Sequence, residues 1–205
     1  MKAQDAMHGG VIYHPGDPAI AQKQLDALDM LFEYNSLRPS QQAEKQTLMK
    51  KMFAEVGEGT YIETPFHANW AGKFVHLGKY VYCNFNVTFV DDTHIYVGDY
   101  TLFGPNCVIA TACHPLNPDV RERDFQYNLP VHIGRNCWFG AGAIVLPGVT
   151  IGDNAVIGAG SVVTKDIPSD VIAVGNPCRV VRTINDDDMK LIVHGKQMEI
   201  IENLE

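Results

Sequence analysis

The chain has 205 residues, 46% of them hydrophobic, and a formal net charge of -8. That is enough apolar material for one buried core, and too acidic for a general nucleic-acid or anionic-membrane surface. No stretch approaches the roughly 20 apolar residues of a membrane span. The opening "MKAQDAMHGGVIYHPGDP" has no signal-peptide run, so the expected location is the cytoplasm.

The first predicted elements are two helices, in "DPAIAQKQLDALDMLFEYN" and "PSQQAEKQTLMKKMFAEVG". Ile20, Leu25, Leu28, Leu31 and Phe32 are read as the apolar side of the first. Asp17 is its N-cap with Pro18 at the first helical position, and Pro39-Ser40 separates the two. Residues 1–55 are therefore expected to form a helical cap.

Beyond the cap the chain divides into sixes. They run "LGKYVY CNFNVT FVDDTH" from Leu77, "VGDYTL FGPNCV IATACH" from Val97, and "IGRNCW FGAGAI VLPGVT IGDNAV IGAGSV VTKDIP" from Ile133. Ile95-Tyr96 offsets the first two blocks. First positions such as Ile133, Phe139, Val145, Ile151, Ile157 and Val163 are apolar. Second positions favour glycine, at Gly134, Gly140, Gly152 and Gly158. Fifth positions are mostly small. A helix of 3.6 residues per turn cannot hold one apolar slot every six residues, and simple alternation would not reserve a glycine slot. The pattern reads as a mainly β chain, a parallel β-helix with one hexapeptide per face, over residues 56–184. In it the first residue points inward, and glycine is assigned to backbone angles that other residues resist. The five cysteines lack paired CxxC spacing, which argues against disulfides or structural zinc. Cys107, Cys113, Cys137 and Cys178 fall on the small slot and Cys83 on the inward one, so all are expected to be buried packing residues.

The repeat fails between Pro115 and about Pro130, where continued sixes would turn Pro115, Arg121 and Tyr127 inward. Residues 115–130 are thus one long extruded loop with His114 at its root, and loops of that length usually serve a function. Residues 185–205 read as a C-terminal tail.

The hexapeptide coil, "YCNFN", "FVDDT", "TACHP", "VGNPCRVVR" and the helical cap together resemble the maltose and galactoside O-acetyltransferases of the left-handed β-helix acyltransferases. That resemblance implies an acetyl-CoA-dependent enzyme moving an acetyl group to a hydroxyl of a small sugar or glycoside. It further implies a homotrimer with sites between subunits and no metal. His114 would be the general base and Asn84 the amide that stabilises the tetrahedral transition state, with direct attack and no acyl-enzyme. Tyr82 and Asp92 match acceptor contacts, and Ala141 and Ala159 match the lining of the pantetheine slot. Thr164, Lys165, Arg179 and Arg182 match the residues holding the nucleotide end of coenzyme A, a local cationic cluster in an acidic chain. Two positions depart from the pattern: Trp70 stands near the acceptor wall as a stacking surface, and Gln126 replaces an acidic residue, so His114 would be oriented by another group such as a backbone carbonyl.

Other acceptors, an amino sugar or a foreign hydroxylated compound, fit the same residues. Two other classes compete. His76, His94 and His114 follow at about one coil each, which invites comparison with the zinc-dependent gamma-class carbonic anhydrases. A β-helix that only assembles is the second, although a scaffold needs neither His114 nor the cationic cluster.

Overall fold

In the computed structural model of the chain, residues 3–190, 192–193 and 196–198 are described. The coil is a left-handed parallel β-helix whose strands stack into three sheets, here called faces. The first face stacks Glu55–Val56, Val75–Leu77, Ile95–Val97, Val131–Ile133 and Thr150–Ile151. The second runs from Tyr61–Ile62 through Tyr82–Cys83, Leu102–Phe103, Trp138–Phe139 and Val156–Ile157 to Val171–Val174. The third stacks His67–Ala68, Thr88–Val90, Val108–Ala110, Ile144–Val145 and Val162–Val163.

The inward slot is filled as the period requires. Leu77, Cys83, Phe89, Val97, Phe103, Ile109, Ile133, Phe139, Val145, Ile151, Ile157 and Val163 are all buried. Phenylalanines form a column down the axis, with Phe89 edge-on to Phe103 at 5.9 Å and Phe103 stacked on Phe139 at 4.8 Å. Leu102 pairs with Trp138, so the loop between them leaves the coil without disturbing its stacking.

The repeat glycines are in the expected slot for a different reason. Gly140 and Gly152 have ordinary backbone angles, but a Cβ there would stand 2.5 Å from the backbone nitrogen of Ala159 and of Ser169. Close rung packing is what excludes a side chain. The left-handed angles sit two residues later, at Asn136, Gly142, Gly148, Asn154 and Gly160, where each coil turns its corner.

Elements outside the repeat cover part of each end of the coil. Helix α1 (Ala3–His8), which no periodicity announced, precedes α2 (Pro18–Ser36) and α3 (Gln42–Met52). Side chains from α2 and α3 reach the outer carbonyls of the first rung: Tyr34 Oη donates to Ile62 O at 2.6 Å, Asn35 Nδ2 to Phe66 O at 2.8 Å and Gln46 Nε2 to Thr60 O at 3.0 Å. At the far end Arg179–Thr183 returns antiparallel to Val171–Val174.

Three expectations need correction. The buried side of α2 is Ile20, Ala27, Leu31 and Tyr34, while Leu25 and Phe32 are exposed, Phe32 by 74%. Those two lie roughly 130–150° around the helix from the middle of the buried stripe at 100° per residue, too far to share it. Cys113 is only half-buried, because the chain there has left the coil to pair with Tyr127; the other four cysteines are buried. The extruded segment is also not structureless. Ala112–Cys113 pairs antiparallel with Tyr127–Asn128, and α4 (Pro118–Arg121) turns its tip behind an Asn117 N-cap. Of the tail, a 3₁₀ turn (Asp186–Lys190) and a pairing of Ile192–Val193 with Lys196–Gln197 are described; residues 191, 194–195 and 199–205 lie outside the described residues.

Candidate active site

His114 follows directly on the antiparallel rung that roots the loop and is exposed. Its Nδ1 lies 3.0 Å from the backbone carbonyl oxygen of Phe125. A carbonyl only accepts, so Nδ1 is the donor, and in the neutral ring the lone pair is then on Nε2. That is the tautomer a general base needs, and it is set by a backbone group across the loop.

Asn84 closes the second-face strand Tyr82–Cys83. Its side-chain oxygen accepts the Phe85 N–H at 2.8 Å, and among the described residues its amide NH₂ has no hydrogen-bond partner. Tyr82 is half-buried on the same face and lies parallel to Tyr61 at 6.4 Å. Ala141 and Ala159 are exposed on the corner that Asn84 begins, laddered by Gly142 N–H to Pro105 O and Gly160 N–H to Ala141 O, each 2.9 Å. A Cβ on Gly142 or Gly160 would meet nothing within 4 Å, so this edge has an open flank of small residues.

The structure does not bring all of these together in one chain. Asn84, Ala141 and Ala159 stand on the edge between the second and third faces, whereas His114, Thr164 and Lys165 stand beyond the third face. About five extended residues separate the two edges, on the order of 15 Å. Arg179 and Arg182 lie on the returning strand, and their charge is partly spoken for. Arg179 Nη1 donates to Cys178 O at 2.7 Å, and Arg182 holds Asp188 at 2.6 and 2.7 Å, which drives the Asp188 carboxyl down to about 2.

Asp92 is nearly buried, accepting from Asn69 Nδ2 at 2.7 Å and from Gln126 Nε2 at 3.2 Å. Gln126 is equally enclosed; its Nε2 also reaches Tyr13 Oη and Asn128 Oδ1, so toward an acceptor it offers at most its carbonyl oxygen. Trp70 corrects a prediction outright. The ring is 2% exposed, packed with Tyr13 and Ile20 and 5.4 Å from Phe74, so neither face can stack on a sugar. An apolar neighbourhood before the coil drew it inward, and its Nε1 is a buried donor without a partner among the described residues.

Sequence reasoning passed over Tyr13, Asn69 and Asn128, which hold Asp92 and Gln126; none lies on a repeat slot that would mark it. It also passed over a cleft of about 560 Å³ lined by Val11, Ile12, Tyr13, His14, Gly16 and Asp17. The cleft opens beside the loop, where the His14 and Phe125 rings are 6.1 Å apart.

The three histidines of the zinc reading do not converge. His76 Nε2 and His94 Nδ1 bond each other at 2.9 Å, while His114 turns to Phe125. Among the described residues no trio of histidine, cysteine or acidic side chains is placed to hold a metal ion. Burial also pushes the thiols of Cys83, Cys107, Cys137 and Cys178 upward, away from the thiolate form.

Two family signatures match: the maltose acetyltransferase hexapeptide capping motif over residues 6–57, and the hexapeptide repeat of succinyl-transferase over residues 130–165. A galactoside O-acetyltransferase of Lactococcus lactis subsp. lactis (strain IL1403) is 50% identical over 202 residues, 98% of each chain. A crystallised galactoside acetyltransferase in complex with coenzyme A superposes with a TM-score of 0.92 at 38% identity, covering 98% of this chain and 100% of that one. A hexapeptide-repeat acetyltransferase of Vibrio cholerae O1 biovar eltor, complexed with acetyl coenzyme A, does so at 0.84 and 30% identity over 91% of this chain and 100% of that one. With the coil, the capping helices and the loop-rooted histidine in one chain, and relatives matched along its length, this protein belongs to the galactoside and maltose O-acetyltransferase family of hexapeptide-repeat enzymes.

Proposed function

We propose that the protein transfers the acetyl group of acetyl-CoA to a hydroxyl of a small sugar or glycoside, of maltose, glucose or galactoside type. It would work as a cytoplasmic homotrimer, with each site built between two copies. Among the described residues no helix is long and apolar enough to cross a membrane. The observation that carries the reading is the 3.0 Å approach of His114 Nδ1 to the Phe125 carbonyl oxygen at the root of the loop. Nε2 takes the proton of the attacking hydroxyl, and Asn84 Nδ2 donates to the oxyanion that forms on the thioester carbonyl. His114 then returns the proton to the departing thiolate of coenzyme A. The four buried cysteines, Cys83, Cys107, Cys137 and Cys178, whose thiols burial pushes upward, offer this direct route no competing nucleophile.

Assembly follows from the separation of the two edges. His114 of one copy supplies the base, and the Asn84 edge of the next supplies the donor and the small-residue flank for the pantetheine arm. Thr164 and Lys165, on the His114 edge, and Arg179 would meet the nucleotide end from either side, and the opened Arg182 would join them. Residues 1–55 act as the cap on which this architecture rests.

Coenzyme A release measured across a panel of sugars tests the reading. The wild type should turn over at least one sugar or glycoside, and His114→Ala should lose roughly 10² to 10⁴ in rate while coenzyme A still binds. Silence of the wild type across the panel, or an His114→Ala variant as fast as wild type, overturns it.

A further inference from the structure

The carbonyl that orients His114 belongs to the peptide plane whose N–H is that of Gln126. Gln126 N–H donates to Tyr13 O at 2.9 Å, and Tyr13 N–H returns a bond to Gln126 O at 2.8 Å. Because the peptide unit is planar, Tyr13 grips one side of the plane and His114 reads the other. Rotating the plane would break both bonds. Side chains reinforce the grip: Gln126 Nε2 donates to Tyr13 Oη at 2.9 Å and Asn128 Oδ1 at 2.8 Å, and Asn128 Nδ2 donates to Tyr13 Oη at 3.0 Å. Tyr13, Asp92, Gln126 and Asn128 are all under 8% exposed. An amide with two protons for three acceptors, Asp92 Oδ1 being the third, satisfies them only while all four groups stay in register.

We propose that Tyr13 and Gln126 are positioning residues for this enzyme: they clamp the 125–126 peptide so that His114 presents a bare Nε2, and they hold the Asp92 carboxylate from the same amide. The clamp also links the base to the cleft at Val11, Ile12, His14 and Asp17, since Tyr13 belongs to both. The inference rests on His114 being the base of the acetyl transfer proposed above.

Two variants test it, each measured for kcat, acceptor KM, coenzyme A affinity and the ¹⁵N shifts of the His114 ring. Tyr13→Phe keeps the ring and removes the shared acceptor. Its kcat should fall about 10- to 100-fold with coenzyme A affinity unchanged, and His114 should become a mixture of tautomers. Gln126→Glu puts a second carboxylate beside Asp92 Oδ1, with Tyr13 Oη and the Asn128 amide as the other facing groups. When both are ionised they repel; when they share a proton the donor is restored. Its rate relative to wild type should therefore rise as pH falls from 8 toward 6, a dependence that Tyr13→Phe lacks. The proposal is overturned if both variants stay within about twofold of wild-type kcat with a single His114 tautomer, or if the Gln126→Glu ratio is flat with pH. If the wild type transfers acetyl to no sugar while the variants still mix the His114 tautomers, the clamp stands and the functional reading falls.

Discussion

The two edges of the coil that carry the candidate chemistry are built by opposite means. On the Asn84 edge every position is fixed by repetition: each rung lies on the one below, and the corner of one coil bonds the corner of the next. At His114 the repeat has stopped, and position depends on contacts to residues far away in sequence, such as Tyr13 on Gln126. Repetition gives rigidity that many bonds share. The clamped loop gives one exact placement that a single substitution can undo.

The largest effect expected on the coil side is in stability. Phe103 is the middle of the phenylalanine column, and Phe103→Ala should cost about 3–5 kcal/mol in urea unfolding. A loss below about 1 kcal/mol would mean that the coil can collapse around the void, and the contrast with the loop would weaken.

A smaller effect separates cap from coil by pH. Burial, followed for His94 by the neighbouring His8 and His76, holds His8 and His94 below the ordinary imidazole value of 6.5. Their contribution is present above pH 6.5 and is lost as pH falls through the folded values, because the unfolded chain then binds more protons. Asp91 runs the other way. Burial raises it to about 7 against the Trp70 and Gly72 N–H bonds, so it costs stability as pH rises and recovers it on acidification. Comparing wild type with His94→Gln cancels Asp91: the variant's melting point should fall less between pH 7 and 5. Equal slopes would remove His94 from the acid response.

On the nucleotide side, Asp188→Asn frees Arg182. Coenzyme A should bind tighter, by up to about fivefold given the modest worth of exposed ion pairs. Unchanged affinity would detach Arg182 from the nucleotide end. The smallest change belongs to Trp70→Phe, which removes a buried donor that has no partner among the described residues and leaves most of the packing. Its cost should stay under about 1.5 kcal/mol by thermal unfolding, and a larger loss would mean that Nε1 has a partner, such as a buried water.

The coil was legible in the sequence because a six-residue period is a geometric fact of one chain folding on itself. Phe139 or Ile157 could be placed inward from spacing alone. The slot of the glycines was legible but its cause was not, because clashes between rungs depend on what lies a full turn away. The root of the loop could be located at His114 by where the period broke. The residues that orient His114 could not: Tyr13 and Gln126 meet 113 positions apart and follow no period. Trp70 shows the converse error, an aromatic read as a surface that packing had drawn inside.

The partly covered ends of the coil have a consequence for its life in concentrated solution. A stack of parallel strands invites another copy to continue it, rung upon rung, into a filament. Here Tyr34, Asn35 and Gln46 occupy the carbonyls at one end, and the antiparallel strand Arg179–Thr183 occupies the edge at the other. Continuation of the stack at these two places is thereby obstructed, which leaves the sides of the coil as the surfaces for the assembly proposed above.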